Sequence, residues 1–459
     1  MNPTAVSSAH SIDAPEGTPE TTPEHHRARL PRTPAYGGSY RLTGATLWTG
    51  VGEGLIPGGE IVVEQDRIAY AGPARPELAW NDGPTIDLDG ATILPGFIDT
   101  HVHLRLSLEA SPAAMMSQFD SHSHFHAAQT VRSTLEAGIT TARDLGGLDA
   151  GYRNAIADGS IAGPRLHLAL AVISPTGGHA DTHLANGVNT AGDMHGAFMR
   201  LVDSDDDMRR TVRELVRSEA DVIKVCTTGG VSSPSDTPHD LGVPERQVQI
   251  AVDETARRQG QPVTSHAQGA AGILEAIRGG VSSVEHGYEI DDAGIAAMLE
   301  RGTFLVPTLS SALRVPDPAK VASYLYAKKV RWSEIAREHL SRAITAGVRV
   351  AMGTDSGVCP HGRNLTELGH MVDLGMSPAA ALTAGTKNAA ELLRLDADLG
   401  TLEAGKLADL VITRRNPLTE IHALADPDEV LAVVQSGVPR KDLAGLLTSL
   451  STADVIPVV

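Results

Sequence analysis

The feature that most constrains the fold is an alternation of short apolar strands and amphipathic helices through the middle of the chain. Segments such as "AAQTVRSTLEAG" and "AAGILEAIRGG" have helical spacing of apolar residues, and they lead into the strand-like runs "ITTARDLGG" and "VSSVEHGY". Eight such strands can be counted. Eight strands favour a closed parallel barrel over an open sheet, because closure removes both edges and right-handed crossovers place the helices outside.

The two ends of the chain have a different pattern. Residues 38–93 form short strand-like segments separated by Gly, Pro and Asn-Asp turns, and residues 397–459 return to this pattern. We therefore predict an α/β fold, a (β/α)8 TIM-like barrel over residues 94–396 beside a composite β-sandwich built from both chain ends. Residues 1–37 are rich in Pro, Thr, Ser, Glu and His, and they are predicted to be a disordered tail.

Composition restricts the partners and the compartment. The 38 Lys and Arg against 56 Asp and Glu give a net charge of −18, which would repel a polyanion such as nucleic acid. The sequence contains no apolar run near the roughly 18 residues of a membrane span and no signal-peptide core. Cys226 and Cys359 are too few for a disulfide framework and are interpreted as small buried residues. We predict a cytoplasmic homo-oligomer that acts on a small molecule and binds neither nucleic acid nor membranes.

Six polar residues follow apolar strands at the end that forms the mouth of a TIM-like barrel. His101 and His103 are two residues apart, so both point to the same side of the sheet. The other four end later strands, and they are Lys224, His266, His286 and Asp355. Each has a structural explanation when taken alone, as a satisfied histidine, a snorkelling lysine or a turn aspartate. Their convergence on one mouth favours a metal site.

Several motifs resemble those of a known family. "PGFIDTHVHL", "SHAQG", "VEHGYEI" and "GTDSG", in that order, resemble the amidohydrolase superfamily of metal-dependent hydrolases. "LTGATLWTG" and "GTLEAGKLADLVI" are similar to the two halves of its composite β-sandwich. "SPTGGHAD" and "KVCTTGGVSSPSD" resemble the branch of Xaa-Pro, Xaa-Lys and Xaa-Arg dipeptidases and ochratoxin-type amidases. The resemblance implies hydrolysis of the amide bond of a dipeptide or an N-acyl amino acid.

The resemblance also implies two divalent metal ions, most simply zinc, with cobalt or manganese as alternatives. They would be bridged by a hydroxide and by Lys224, carboxylated on its amine. The implied protein ligands are His101, His103 and Asp355 for one ion and His266 and His286 for the other. Asp355 would also accept the proton of the attacking water. His179, in "PTGGHAD", would stabilise the oxyanion or hold the substrate.

One stretch departs from the dipeptidase branch. Those dipeptidases carry a Tyr after the Gly-Gly-Val loop, where it contacts the α-carboxylate of the substrate. Here "DTPHDLGVPERQ" contains no Tyr, and Val243 is the nearest match. His239 is predicted to take its place, and Arg105 and Arg363 are candidate partners of a substrate carboxylate. The loss leaves room for a bulkier or non-peptide amide.

Two other functions stay open. A cyclic-amide hydrolase or a deaminase acting on a heterocycle would keep the fold, but deaminases of this superfamily typically use one metal and need no bridging lysine. A catalytically inactive scaffold would usually lose metal ligands, and all six are present here. Other clustered polar residues are given structural roles, namely an internal ion pair between Arg143 and Asp144 and a solvated surface formed by His122, His124 and His126.

Overall fold

The computed structural model describes residues 28–107, 119–189, 198–233, 235–319, 321, 323–450 and 455–456. The strands in these residues are β1 (Ala35–Tyr36), β2 (Ser39–Trp48), β3 (Leu55–Glu64), β4 (Arg67–Pro73), β5 (Thr85–Asp87), β6 (Thr92–Pro95), β7 (Phe97–Val102), β8 (Ile139–Asp144), β9 (Arg165–Leu168), β10 (Val172–Ser174), β11 (Met199–Leu201), β12 (Ile223–Cys226), β13 (Val263–Ala267), β14 (Ser283–His286), β15 (Phe304–Val306), β16 (Leu410–Thr413), β17 (Val430–Gln435), β18 (Val438–Asp442) and β19 (Val455–Ile456).

The helices alternate with these strands through the central part of the chain. They are α1 (Asp120–Glu136), α2 (Ala150–Ala157), α3 (Asp205–Arg217), α4 (Glu245–Ala256), α5 (Ala270–Gly279), α6 (Asp292–Arg301), α7 (Leu309–Ala312), α8 (Ser323–Thr345), α9 (Thr366–Asp373), α10 (Pro378–Ala384) and α11 (Lys387–Leu392), with 3-10 helices at Ile421–Ala425 and Pro427–Glu429. None of these helices combines the length and the apolar composition that crossing a membrane requires.

The central strands form two parallel sheets, β7-β8-β9 and β11-β10-β12-β13-β14-β15. Residues 349–356 lie between the outer strands of the two sheets. On one side the amide of Ala351 donates to the carbonyl of Leu305 in β15 at 3.0 Å. On the other side the amide of Thr100 in β7 donates to the carbonyl of Met352 at 2.9 Å. Several of these strands are buried throughout, as expected for parallel strands covered on both faces.

Helix α3 illustrates how local sequence sets the helical elements. The Ser204 hydroxyl accepts from the amide of Asp207 and caps the helix, and three acidic residues fill the first turn, where the helix dipole favours negative charge. Apolar residues at helical spacing, including Met208, Val212 and Leu215, face the core. The polar face of the helix is left toward solvent.

Both chain ends contribute to one further sheet, in the order β18-β17-β16-β6-β2-β3-β4, with β5 paired to β2. Its side chains form a separate apolar cluster that includes Leu42 from the first half and Leu410 from the second. Residues 28–37, assigned to the tail from sequence, include β1, which pairs with β19. Residues 1–27 lie outside the described residues. Cys226 and Cys359 are both buried free thiols, which confirms the prediction made for them.

Candidate metal centre

The predicted ligand side chains meet where the parallel strands end. The ring centroids of His101 and His286 are 5.0 Å apart, and those of His266 and His286 are 4.5 Å apart. His103 follows β7 directly, and its ring centroid lies 5.3 Å from that of His101. All four rings are buried. Alternation alone does not explain this, because His266 is in register with Glu285 and His286 with Ala267. The positive φ of His286, at the last residue of β14, lets its ring join the other three.

Three of the candidate ligands, two histidines and an aspartate, are close enough to share one ion. One ligand atom from each of His101, His103 and Asp355 lies within 4.8 Å of the others. Both histidines approach the same carboxylate atom, with each Nε2 3.6 Å from Asp355 Oδ1. Two imidazole nitrogens and a carboxylate oxygen are a donor set that suits zinc and related divalent ions.

The second nitrogen of each ring in this group is occupied by an acceptor. His101 Nδ1 lies 2.8 Å from Glu285 Oε2, and His103 Nδ1 lies 3.0 Å from the carbonyl of Gly146. A carbonyl or an ionised carboxylate can only accept, so the facing Nδ1 carries the proton and Nε2 of the neutral ring does not. The unprotonated Nε2 is the form that binds a metal.

The other two histidines are fixed in a similar way. His266 Nε2 lies 3.1 Å from the carbonyl of Gly229, which leaves its Nδ1 unprotonated in the neutral ring. His286 Nδ1 lies 2.8 Å from the hydroxyl of Thr308. His286, Thr308 and Asp355 have positive φ values of 73°, 51° and 60°. Such conformations are costly for residues other than glycine and concentrate at functional sites.

Burial keeps all four rings neutral. It lowers the pKa of His101, His266 and His286 well below the ordinary value, and it lowers that of His103 to about 4. The positive charge of Lys224 acts in the same direction on each ring. Neutral imidazoles are the protonation state that metal coordination requires.

Lys224 is the least satisfied group of the cluster. It is 2% exposed, and its Nζ has no hydrogen-bond partner among the described residues. Burial lowers the pKa of this ammonium, since a charge without a partner is unfavourable away from water. An orphaned buried nitrogen beside four histidines and Asp355 fits a group that contacts a metal or is modified to do so.

Glu285, which links His101 to the buried Arg143, was not identified from the sequence. Glu285 immediately precedes His286, and its carboxylate accepts from Arg143 Nη2 at 2.8 Å and from Ser283 Oγ at 2.6 Å as well as from His101. Both side chains of the Arg143–Glu285 pair are 0% exposed. Burial opposes ionisation, but Arg143 and His101 hold the pKa of Glu285 below its usual range.

The predicted ion pair between Arg143 and Asp144 is wrong. Adjacent residues of a strand point to opposite sides, so the two side chains cannot meet within β8. Asp144 instead accepts from the amides of Leu104 at 2.8 Å and Gly146 at 3.1 Å, and it thereby fixes the loop that follows β7. Burial raises the pKa of Asp144 to about 7.

His179 lies at the edge of the cluster. Its ring stacks on that of His266, with centroids 4.0 Å apart and planes 18° apart. His179 Nδ1 lies 3.0 Å from Asp236 Oδ2, and Asp236 was not predicted from the sequence. A side chain at Gly230 would place its Cβ 2.2 Å from the His179 ring, so the absence of a side chain there makes room for the imidazole.

The candidate substrate residues lie in different surroundings. His239 is exposed, with Nε2 2.9 Å from Glu289 Oε2. Arg105 is buried and held by α1, where it donates to Asp120 and, at 2.7 Å, to Ser123. Arg363 is exposed. None of the hydrogen bonds and ion pairs of the described residues joins any two of these three side chains, and their role in substrate binding stays a prediction.

The histidine tract lies within α1. His122 and His126 are exposed. His124 is half-buried, because its Nδ1 lies 2.6 Å from the hydroxyl of Tyr152 and its Nε2 lies 3.3 Å from Asp120. The prediction of a solvated surface therefore holds for His122 and His126 and not for His124.

With this geometry in place, comparison with known proteins identifies the class. The model of the amidohydrolase family matches residues 92–439, and the chain belongs to this family. It is a hydrolase that acts on amide C–N bonds, and the predicted branch of prolidase-like and ochratoxinase-like enzymes is confirmed. Structural neighbours of this family indicate a TIM-like barrel with an additional domain.

The individual relatives are moderately similar. Ochratoxinase of Aspergillus niger is 31% identical over 367 residues, which cover 75% of each chain. The crystal structure of A. niger ochratoxinase matches with a TM-score of 0.78, covering 88% of this chain and 96% of that one. A Xaa-Pro dipeptidase with methionine in its active site is 30% identical, with a TM-score of 0.80, covering 87% and 99%. Imidazolonepropionase of Methylobacterium sp. (strain 4-46) is 29% identical over 399 residues, covering 80% of this chain and 90% of that protein.

Proposed function

We propose that this protein is a binuclear metal-dependent hydrolase that cleaves the amide bond of a dipeptide or an N-acyl amino acid. The observation that carries the proposal is the cluster of buried neutral histidines and Asp355 around the orphaned Nζ of Lys224. The relatives named ochratoxinase and Xaa-Pro dipeptidase support this choice of substrate class.

Two ions would divide the donors between them. His101, His103 and Asp355 would hold one, and His266 and His286 would hold the other. Lys224 would bridge them after carboxylation by carbon dioxide. A carbamate is an anion with two oxygen atoms, so it would remove the unfavourable buried ammonium and supply a ligand to each ion. Zinc suits these ligands, and cobalt or manganese would also be accepted.

The protein residues have distinct tasks in the proposed reaction. When bound, the divalent ions supply an activated water and polarise the scissile carbonyl. Asp355 would accept a proton from the attacking water and pass it to the leaving nitrogen. His179, with Nδ1 donating to Asp236, can donate from Nε2 to the developing oxyanion only as the imidazolium, and this is the form that we assign to it in the reaction. Glu285 keeps His101 in the tautomer that presents Nε2.

The proposed architecture is a closed eight-stranded barrel over residues 94–396 and a β-sandwich built from residues 38–93 and 397–459. The hydrogen bonds that join residues 349–356 to β15 and to β7 support closure. The sheet shared by the two chain ends supports the composite domain. A cytoplasmic location and a homo-oligomeric state stay predictions from the sequence.

The test is incubation of zinc-loaded protein with a mixed library of dipeptides and N-acyl amino acids, followed by liquid chromatography with mass spectrometry. We expect loss of selected members, abolished in Lys224→Ala and retained in the exposed-site control Lys387→Ala. Turnover by Lys224→Ala equal to that of the wild type would overturn the binuclear proposal. No turnover of this library, together with turnover of a cyclic amide assayed in parallel, would favour the alternative of a cyclic-amide hydrolase, which the similarity to imidazolonepropionase supports.

A further inference from the structure

A second lysine lies beside the centre and has no place in the proposed reaction. Lys329 is on α8, and its Nζ donates to the carbonyl of Ser311 in α7 at 3.2 Å. No carboxylate among the described residues forms an ion pair with it. The preceding residue, Lys328, has a structural role instead. Its Nζ donates to the carbonyls of Ser233, at 2.8 Å, and Asp236, and so holds the loop that contains these two residues.

The surroundings of Lys329 place it on the side of the metal centre. Burial raises the pKa of Asp355 to about 7, and Lys329 and a hydrogen bond from Ser311 act in the opposite direction. Burial lowers the pKa of Lys329, while Asp355 and Cys359 favour its charged form. Ser311 links the two groups in space, because its carbonyl accepts from Lys329 Nζ and its hydroxyl hydrogen-bonds to Asp355. The ammonium is partly buried beside this shared residue.

The other cations proposed for a substrate carboxylate are less suitable. Arg105 is already held by Asp120 and Ser123. His239 lies 2.9 Å from the carboxylate of Glu289, which would repel a second anion. Arg363 is exposed to water, where a single ion pair contributes little. Lys329 combines partial burial, a position beside Asp355 and the lack of an anionic partner.

We propose that Lys329 binds the free carboxylate of the amide substrate, and that the enzyme therefore selects dipeptides or N-acyl amino acids over the corresponding carboxamides. This inference rests on the proposed function, because it assigns a residue to one end of that substrate. It also accounts for the missing Tyr of the "DTPHDLGVPERQ" stretch. The carboxylate of the substrate is bound by the ammonium of Lys329 on α8 and not by a tyrosine that follows the Gly-Gly-Val loop.

The first test uses matched substrate pairs, the best hydrolysed free acid and its C-terminal carboxamide, with zinc-loaded wild type, Lys329→Met and the exposed-site control Lys387→Met. We expect Lys329→Met to lower kcat/KM for the acid about 10- to 100-fold, mainly through KM, as for loss of a charge-assisted hydrogen bond. Its kcat/KM for the carboxamide should change by less than about threefold, because that contact is absent there. Equal losses on both substrates would overturn the assignment.

The second test measures binding without turnover. Isothermal titration of L-methionine and L-methioninamide into the same proteins should show a preference for the acid in the wild type that Lys329→Met loses. Equal metal content of the variants ensures that the centre is intact. A Lys329-dependent preference without any amide hydrolysis would reject the proposed function and keep only the assignment of Lys329 as a carboxylate-binding residue. Amide hydrolysis without an acid preference would reject the inference alone.

Discussion

Replacing Glu285 by Gln tests how the buried network supports the metal centre. Glu285 Oε1 accepts hydrogen bonds from Arg143, Ser283 and Thr264. Its Oε2 accepts one from His101. A glutamine must turn its NH2 group toward one of these sets of donors. The substitution also leaves the fully buried guanidinium of Arg143 without its counter-charge.

The magnitude follows from burial. Removing one partner of a buried ion pair costs about 3–5 kcal/mol, because the remaining charge is uncompensated. The matched control is Glu254→Gln, which breaks a two-bond pair with Arg213, whose side chain is 50% exposed. A pair of that kind contributes about 0–1 kcal/mol. The two substitutions are chemically identical and differ in the burial of the cation.

The assay is urea unfolding of metal-free wild type and both variants at pH 7. We expect the free energy of unfolding to fall by about 3–5 kcal/mol in Glu285→Gln and by at most about 1 kcal/mol in Glu254→Gln. The zinc affinity of Glu285→Gln should fall about 10- to 100-fold, because His101 loses the acceptor that fixes its tautomer. A loss of stability no greater than that of the control would refute the reasoning.

Three further predictions follow from single contacts. Asp236→Asn removes the carboxylate that fixes His179, so kcat should fall about 10- to 100-fold with unchanged metal content; an unchanged kcat would contradict the proposed role of His179. Gly230→Ala should also lower kcat, because the added Cβ displaces the His179 ring, and a crystal structure with the ring in place would disprove this. Glu60 accepts from two arginines that, against the effect of burial, lower its pKa from the ordinary 4.5. Its contribution to stability is therefore present above pH 4.5 and lost at lower pH, so Glu60→Gln should cost about 1–3 kcal/mol at pH 7 and less in urea unfolding at pH 4, whereas a pH-independent cost would contradict the assignment.

The convergence of the candidate ligands could be predicted because most of it follows from simple periodicities. His101 and His103 lie at and just after the end of β7 and share a side through the two-residue repeat of a strand. His266 and His286 lie in the last two residues of neighbouring parallel strands, whereas Lys224 lies two residues before the end of β12. Because β12, β13 and β14 are parallel neighbours, residues near their C-terminal ends lie close together in space.

The supporting contacts could not be predicted in the same way. Glu285 joins Arg143 from a strand 142 positions earlier in the chain, and nothing local in the sequence pairs them. Asp236 meets His179 through the path of two loops, and Lys329 reaches Ser311 from a helix whose rotation depends on packing. The Arg143–Asp144 prediction failed because proximity in sequence was taken for proximity in space.

The most direct test of the account is the metal stoichiometry of the full chain. Protein freed of metal, reconstituted with excess zinc and bicarbonate and then dialysed, would be analysed by inductively coupled plasma mass spectrometry. The account predicts two ions per chain in the wild type and a clear loss in Lys224→Ala, with Lys387→Ala unchanged. A saturated wild-type protein that holds one ion per chain or none would contradict the binuclear centre.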